Sequence, residues 1–118
     1  MRVIRGFAAI LGILLLLASV APLAAQEFTG SIVGTVTDSK GGAIAGAKVT
    51  IKDTGKNVVV RTIFTDELGN YSLPLLLVGN YELTVEMAGF KKLIKTGIAL
   101  SVHDKLTFNL ALEVGPSP

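Results

Sequence analysis

Tyr81-Glu82-Leu83-Thr84-Val85-Glu86-Met87 decides the fold. Its apolar side chains occupy every second position and alternate with Glu82, Thr84 and Glu86, a period of two that an extended chain places on opposite faces. One face is dry and the other wet, the pattern of an antiparallel sheet packed on one side. The run begins after Val78-Gly79-Asn80 and ends at Ala88-Gly89-Phe90, both of them turn sequences.

The same grammar repeats on either side. Ser31 to Thr37 alternates Ile32, Gly34 and Val36 with Ser31, Val33, Thr35 and Thr37, and closes in Asp38-Ser39-Lys40-Gly41-Gly42. Ala47, Val49 and Ile51 alternate with Lys48, Thr50 and Lys52, after which Thr54-Gly55-Lys56-Asn57 turns the chain into the β-branched run Val58 to Thr65. Tyr71-Ser72-Leu73 is followed by Pro74, which cannot donate to a ladder, so this short strand is expected to lie at an edge or to stop there. Leu93 to Leu100 reads as an irregular strand, and Leu106, Phe108, Leu110 and Leu112 form the inward parity of a last one.

The tally is seven short strands separated by turns about every ten residues, with no helical period between them. The expected fold is all-β: a seven-stranded antiparallel sandwich of immunoglobulin-like or prealbumin-like type over residues 28–114. Gly115-Pro116-Ser117-Pro118 cannot extend the last strand, and residues 115–118 read as a linker or loose tail.

The sandwich is preceded by different material. Arg2 and Arg5 lead into Phe7 to Val20, which carry no charge, and Ala21-Pro22-Leu23-Ala24-Ala25 then supplies a helix breaker and small residues. This is the layout of a secretory signal peptide over residues 1–25, cleaved between Ala25 and Gln26. Gly6 to Ala25 is long enough to span a bilayer, so a retained anchor is the rival reading and the one route to membrane contact. Loss of Arg2 and Arg5 leaves nine basic residues against nine acidic ones, a net charge of zero with no electrostatic footprint for nucleic acid. The 118 residues contain no cysteine, so neither a disulfide nor a lipid-bearing thiol is available.

Five segments resemble the carboxypeptidase regulatory-like domain. They are Gly30-Ser31-Ile32-Val33-Gly34-Thr35-Val36-Thr37-Asp38, Gly42-Ala43-Ile44-Ala45-Gly46-Ala47-Lys48-Val49-Thr50-Ile51, Thr65-Asp66-Glu67-Leu68-Gly69-Asn70-Tyr71-Ser72, Val78-Gly79-Asn80-Tyr81 and Ala88-Gly89-Phe90. The chain departs from the family pattern at Ala43-Ile44 and at Leu76-Leu77, where prolines are usual. With Gly30-Ser31-Ile32 in front, Lys91-Lys92 after Phe90 and a final Leu112-Glu113-Val114-Gly115, the variant is most similar to the N-terminal extension of TonB-dependent outer-membrane receptors. The resemblance implies an exported module at the periplasm or outer membrane, with an accessory role beside an envelope protein such as an outer-membrane receptor. Transport is not implied, because the residues quoted include neither plug nor barrel.

No constellation for catalysis is present. Zinc needs three or four ligands at fixed spacing, whereas the one histidine, His103, stands beside Asp104 in a polar turn. Nucleophile elbow, P-loop and dinucleotide fingerprint are all missing. The chain is therefore read as non-enzymatic, with no catalytic, cofactor-binding or metal site and no cofactor. Asp66, Gly69 and Tyr71 are expected to build a structural turn: a capping carboxylate, a glycine at positive φ and a buried ring whose hydroxyl meets a backbone partner.

Val58-Val59-Val60 and Ile63 put apolar side chains on both faces of one strand. Either it is a central strand covered on both sides, or Val59, Arg61 and Ile63 form a patch or open edge where an envelope protein docks. The alternative function is glycan binding, which this type of sandwich also serves. Sugar platforms need exposed rings, and without tryptophan the candidates are Tyr71, Phe28 and Phe90.

Overall fold

The alternation at Tyr81 becomes a strand in a computed structural model that describes residues 28–116. The proposed signal and its Ala25–Gln26 cleavage site lie outside the described residues, as do the last two residues of the tail. Among the described residues eight strands form: β1 (Thr29–Thr37), β2 (Lys48–Asp53), β3 (Val58–Phe64), β4 (Asn70–Leu77), β5 (Gly79–Glu86), β6 (Leu93–Leu100), β7 (Lys105–Thr107) and β8 (Leu110–Ala111). One sheet has the order β4-β1-β7, with β8 also on β1, and the other has the order β3-β2-β5-β6.

The core lies between the sheets. Ile32 and Val36 of β1 and Leu73 of β4 meet Val49 and Ile51 of β2 and Tyr81, Leu83 and Val85 of β5, all buried in one cluster. On the outer face of the second sheet, Lys48 stands opposite Glu86 and Lys52 opposite Glu82, pairs of opposite charge. The face left wet is thus wet for an electrostatic reason as well.

The last run of the sequence behaves differently from its parity. Ser101–Asp104 carries the chain from β6 across to the first sheet, and the segment that follows runs beside β1 in the same direction, so β7 and β8 pair with it in parallel. The expected single strand is divided between Thr107 and Leu110. Phe108 N–H still donates to Val33 O at 2.9 Å, but the Phe108 carbonyl accepts the Tyr71 hydroxyl at 2.6 Å and leaves the ladder. Phe108 and Leu110, expected in the core, are only half-buried at this open side of the sandwich, while Leu112 beyond them is fully buried.

The hydroxyl of Tyr71 passes over Gly34, its cross-strand partner on β1. A Cβ at Gly34 would lie 1.8 Å from Phe108 O and 2.7 Å from the Tyr71 hydroxyl. Only glycine leaves room for that bond.

Candidate functional site: the cleft between the two edge strands

Strands β3 and β4 are edges of different sheets and face each other along one side of the sandwich. Both are bulged. On β2 the partners step from Ile51 to Lys52 while on β3 they step from Arg61 to Val59, so Val60 is the extra residue. On β4, Pro74 and Leu75 together stand against the single residue Ser31, and Leu75 takes φ 55° to fit. A bulge bends its strand and re-aims its side chains. Between them the two bulges open a cleft of about 470 Å³, walled by Val58, Val60, Leu75, Leu77 and Val78, with Asp53, Lys56, Arg61 and Tyr81 as its polar lining.

The polar groups are partly committed to one another. Arg61 Nη1 donates to Pro74 O at 2.5 Å and so ties one sheet to the other. The Tyr81 hydroxyl donates to Leu77 O at 2.5 Å, and Asp53 Oδ1 accepts the Lys56 N–H at 3.0 Å within the turn before β3. Burial pushes the Tyr81 phenol above its ordinary pKa; the Asp53 carboxylate raises it further and the Arg61 guanidinium pulls it back. That combination keeps the phenol protonated as a donor.

The bulge also separates the residues that the sequence placed together. Arg61 and Ile63 stand opposite the buried Ile51 and Val49 and so face inward, with Ile63 packed on the core. Val59 stands opposite Lys52, on the outer face, and is 55% exposed. Val59 therefore shares no face with Arg61 and Ile63, because one inserted residue reverses the parity of the strand behind it. The strand is an edge strand rather than a central one. Sequence parity missed Val60, Leu75 and Leu77; Pro74, which marks an edge, is the one local signal for that wall.

At the opposite end of β4, Asp66 Oδ1 accepts the N–H groups of Leu68 and Asn70 at 2.9 and 2.8 Å, Gly69 adopts φ 75°, and the buried Tyr71 reaches Phe108 O. Burial pushes the Tyr71 pKa up to about 12. His103 takes φ 63° in the β6–β7 turn, where its N–H donates to Thr29 O. Among the described residues, no three His, Cys, Asp or Glu side chains converge as a metal site would require.

Of the rings open to a sugar, Tyr71 is buried, Phe90 is half-buried and Phe28 is exposed. Phe64, outside the expected set, is also exposed. Phe28 bonds through its carbonyl to Val78, near the Val58 end of β3, and Phe64 lies at the other end. Six residues of strand put them roughly 20 Å apart, too far to flank one sugar ring.

Residues 31–113 match the carboxypeptidase regulatory-like domain, and the chain belongs to that family. Over 90 residues it is 34% identical to the TonB-dependent transporter Oar of Myxococcus xanthus, a match that covers 75% of this chain and 8% of that protein. Among solved structures, 3-chlorocatechol 1,2-dioxygenase of Rhodococcus opacus is similar with a TM-score of 0.61 at 14% identity, over 76% of this chain and 61% of that one. A protein of Bacteroides uniformis described as carbohydrate-binding is similar with a TM-score of 0.57 at 14% identity, over 71% and 41% of the two chains. At identities this low the likeness shows the shared sandwich fold alone. The family match and the transporter similarity both point to a non-catalytic domain.

Proposed function

We propose that the protein is a non-enzymatic, exported accessory module of the bacterial cell envelope, related to the periplasmic domain that precedes the plug of TonB-dependent receptors, and that it works by protein contact. The similarity to a TonB-dependent transporter, which spans three quarters of this chain, carries the reading. The signal-like layout of residues 1–25 supports export. The path of the chain also supports an in-line role: β1 starts beside Val78 at one end of the sandwich, and Val114 bridges to Phe90 at the other.

Fractionation tests it directly. Expressed in a Gram-negative host, the chain is expected in the periplasmic or outer-membrane fraction with Gln26 as its first residue. Cytoplasmic protein that retains Met1 would overturn export, and inner-membrane protein that retains Met1 would replace the cleaved signal by an anchor. A glycan array is the counter-test: saturable binding to one sugar class would replace protein contact with the lectin-like alternative.

A further inference from the structure

Native sandwiches protect their open edges, because unpaired N–H and C=O groups invite another strand. Here the protection is uneven. Along one side β7 and β8 are only three and two residues long, and the eight-residue edge strand β6 is bulged at Thr96-Gly97 and turns Lys95 inward, 4.8 Å from the Phe108 ring centroid. Along the other, β3 offers seven residues paired to β2 alone, beside a cleft whose apolar wall is open to water: Val58 is 51%, Leu75 70% and Leu77 60% exposed.

Two copies of this chain do not fit each other there. A twofold interface brings the same patch from both copies together, so two linings that each carry two cations to one anion would meet with a surplus of positive charge. Of the three charges that line the cleft, Asp53 is the single anion, and one of its oxygens is already held by the turn. Arg61 has one of its five N–H groups on Pro74 O and is half-buried, so donors remain for an incoming acceptor.

We propose that this cleft is a docking groove for an extended segment of another protein, which adds as a strand to the free edge of β3. Its alternate apolar side chains enter between Val58, Val60 and Leu77, and a carboxylate on the same face meets Arg61. Main-chain bonds supply affinity and the groove supplies selectivity, as in other strand-addition complexes. The proposal deepens the contact role proposed above by specifying the chemistry of the partner.

The test uses two ten-residue peptides of alternating valine and threonine that differ only in a central glutamate or lysine. Binding is measured by fluorescence anisotropy and mapped by amide NMR shifts on the protein. The glutamate peptide is expected to bind about tenfold more tightly than the lysine peptide, the worth of one hydrogen bond to a charged group, with shifts confined to β3 and Leu75–Val78. Arg61→Gln should erase that preference, and Val60→Lys should abolish binding of both peptides at an unchanged melting temperature. If Arg61→Gln unfolds, Arg61→Lys serves in its place and should keep the sign of the preference while reducing its size. Equal affinities, shifts that map to β6, no binding at millimolar peptide, or self-association that the glutamate peptide does not reverse would each overturn the groove. Fractionation reads the envelope assignment separately, so cytoplasmic protein that still discriminates the peptides would sink that assignment and leave the groove standing.

Discussion

Gly34→Ala is expected to be the most damaging single-methyl change in the domain. The added carbon would lie 1.8 Å from Phe108 O, where real side chains essentially never come within 3.0 Å, so at least about 1.2 Å of movement is required. The atom in the way is backbone and cannot rotate aside. Moving it loosens two bonds, Phe108 N–H to Val33 O and Tyr71 hydroxyl to Phe108 O, each worth roughly 1 kcal/mol. Overpacking adds about 1–3 kcal/mol. The sum, roughly 3–5 kcal/mol, is a large share of the 5–15 kcal/mol or so that holds a domain folded. In a domain of this size it corresponds to a fall of roughly 15 °C or more in melting temperature. Urea and thermal unfolding followed by circular dichroism measure it. Tyr71→Phe, which removes one bond and adds no bulk, should lose only about 1 kcal/mol. Gly41→Ala, at φ 85° with nothing within 4 Å of the new carbon, controls for backbone strain alone, about 1–2 kcal/mol. If Gly34→Ala costs no more than Gly41→Ala, the close approach at the Tyr71 corner is not what fixes glycine there.

Alkaline titration tests the same corner from its chemistry: the folded Tyr71 pKa is raised from the ordinary 10.0 to about 12, so the unfolded chain releases a proton that the folded one keeps. Stability should be full below pH 10 and fall between pH 10 and 12, with a shallower fall in Tyr71→Phe; an identical fall in that variant would assign it to other groups. The Val60 bulge predicts opposite outcomes two turns of the pleat apart: Val59→Lys, on the outer face, should stay within about half a kcal/mol of the parent, whereas Ile63→Lys forces a charge against the core and should cost well over about 2 kcal/mol. Equal melting temperatures for the two variants would mean that β3 has no bulge.

What the sequence reveals here is what depends on neighbours along the chain. Leu83 and Val85 alternate with glutamate and threonine on a regular strand, and both are fully buried. Pro74 marks an edge because its missing N–H is a local property, and β4 is an edge strand. The failures need a partner distant in sequence. Parity counts Gly34 as one more inward position, yet its side chain is absent because of Tyr71 and Phe108, thirty-seven residues apart from each other. Parity likewise gives Phe108 and Leu110 an inward face without saying that their strand runs parallel to β1 at the rim. In β3 the period of two fails at one extra residue, Val60, so Val59 falls on one face and Arg61 and Ile63 on the other. The wall of the cleft escaped because Leu75 and Leu77 are exposed by a bulge in β4 that only its register with β1 reveals.

The two open sides of the sandwich are closed by different cations, and the difference bears on which side is free to act. Lys95 lies over the Phe108 ring, an attraction that tolerates sliding and needs only the ring face. Phe108 is held in place by the Tyr71 hydroxyl, and the same bond that anchors the ring breaks the last strand into two short pieces. The corner that stabilises the fold thereby leaves the first sheet with no long edge on that side, and the edge that remains there is β6, bulged at Thr96-Gly97. Across the molecule, Arg61 makes a single directional bond to the Pro74 carbonyl. Val60, Leu75 and Tyr81 line the same cleft as Arg61. A guanidinium there can keep its bond to Pro74 and still present its remaining donors outward, whereas an ammonium would have to surrender geometry to do both. Arg61 is thus suited to tie the sheets and to read a carboxylate at once, which is what strand addition on β3 asks of it.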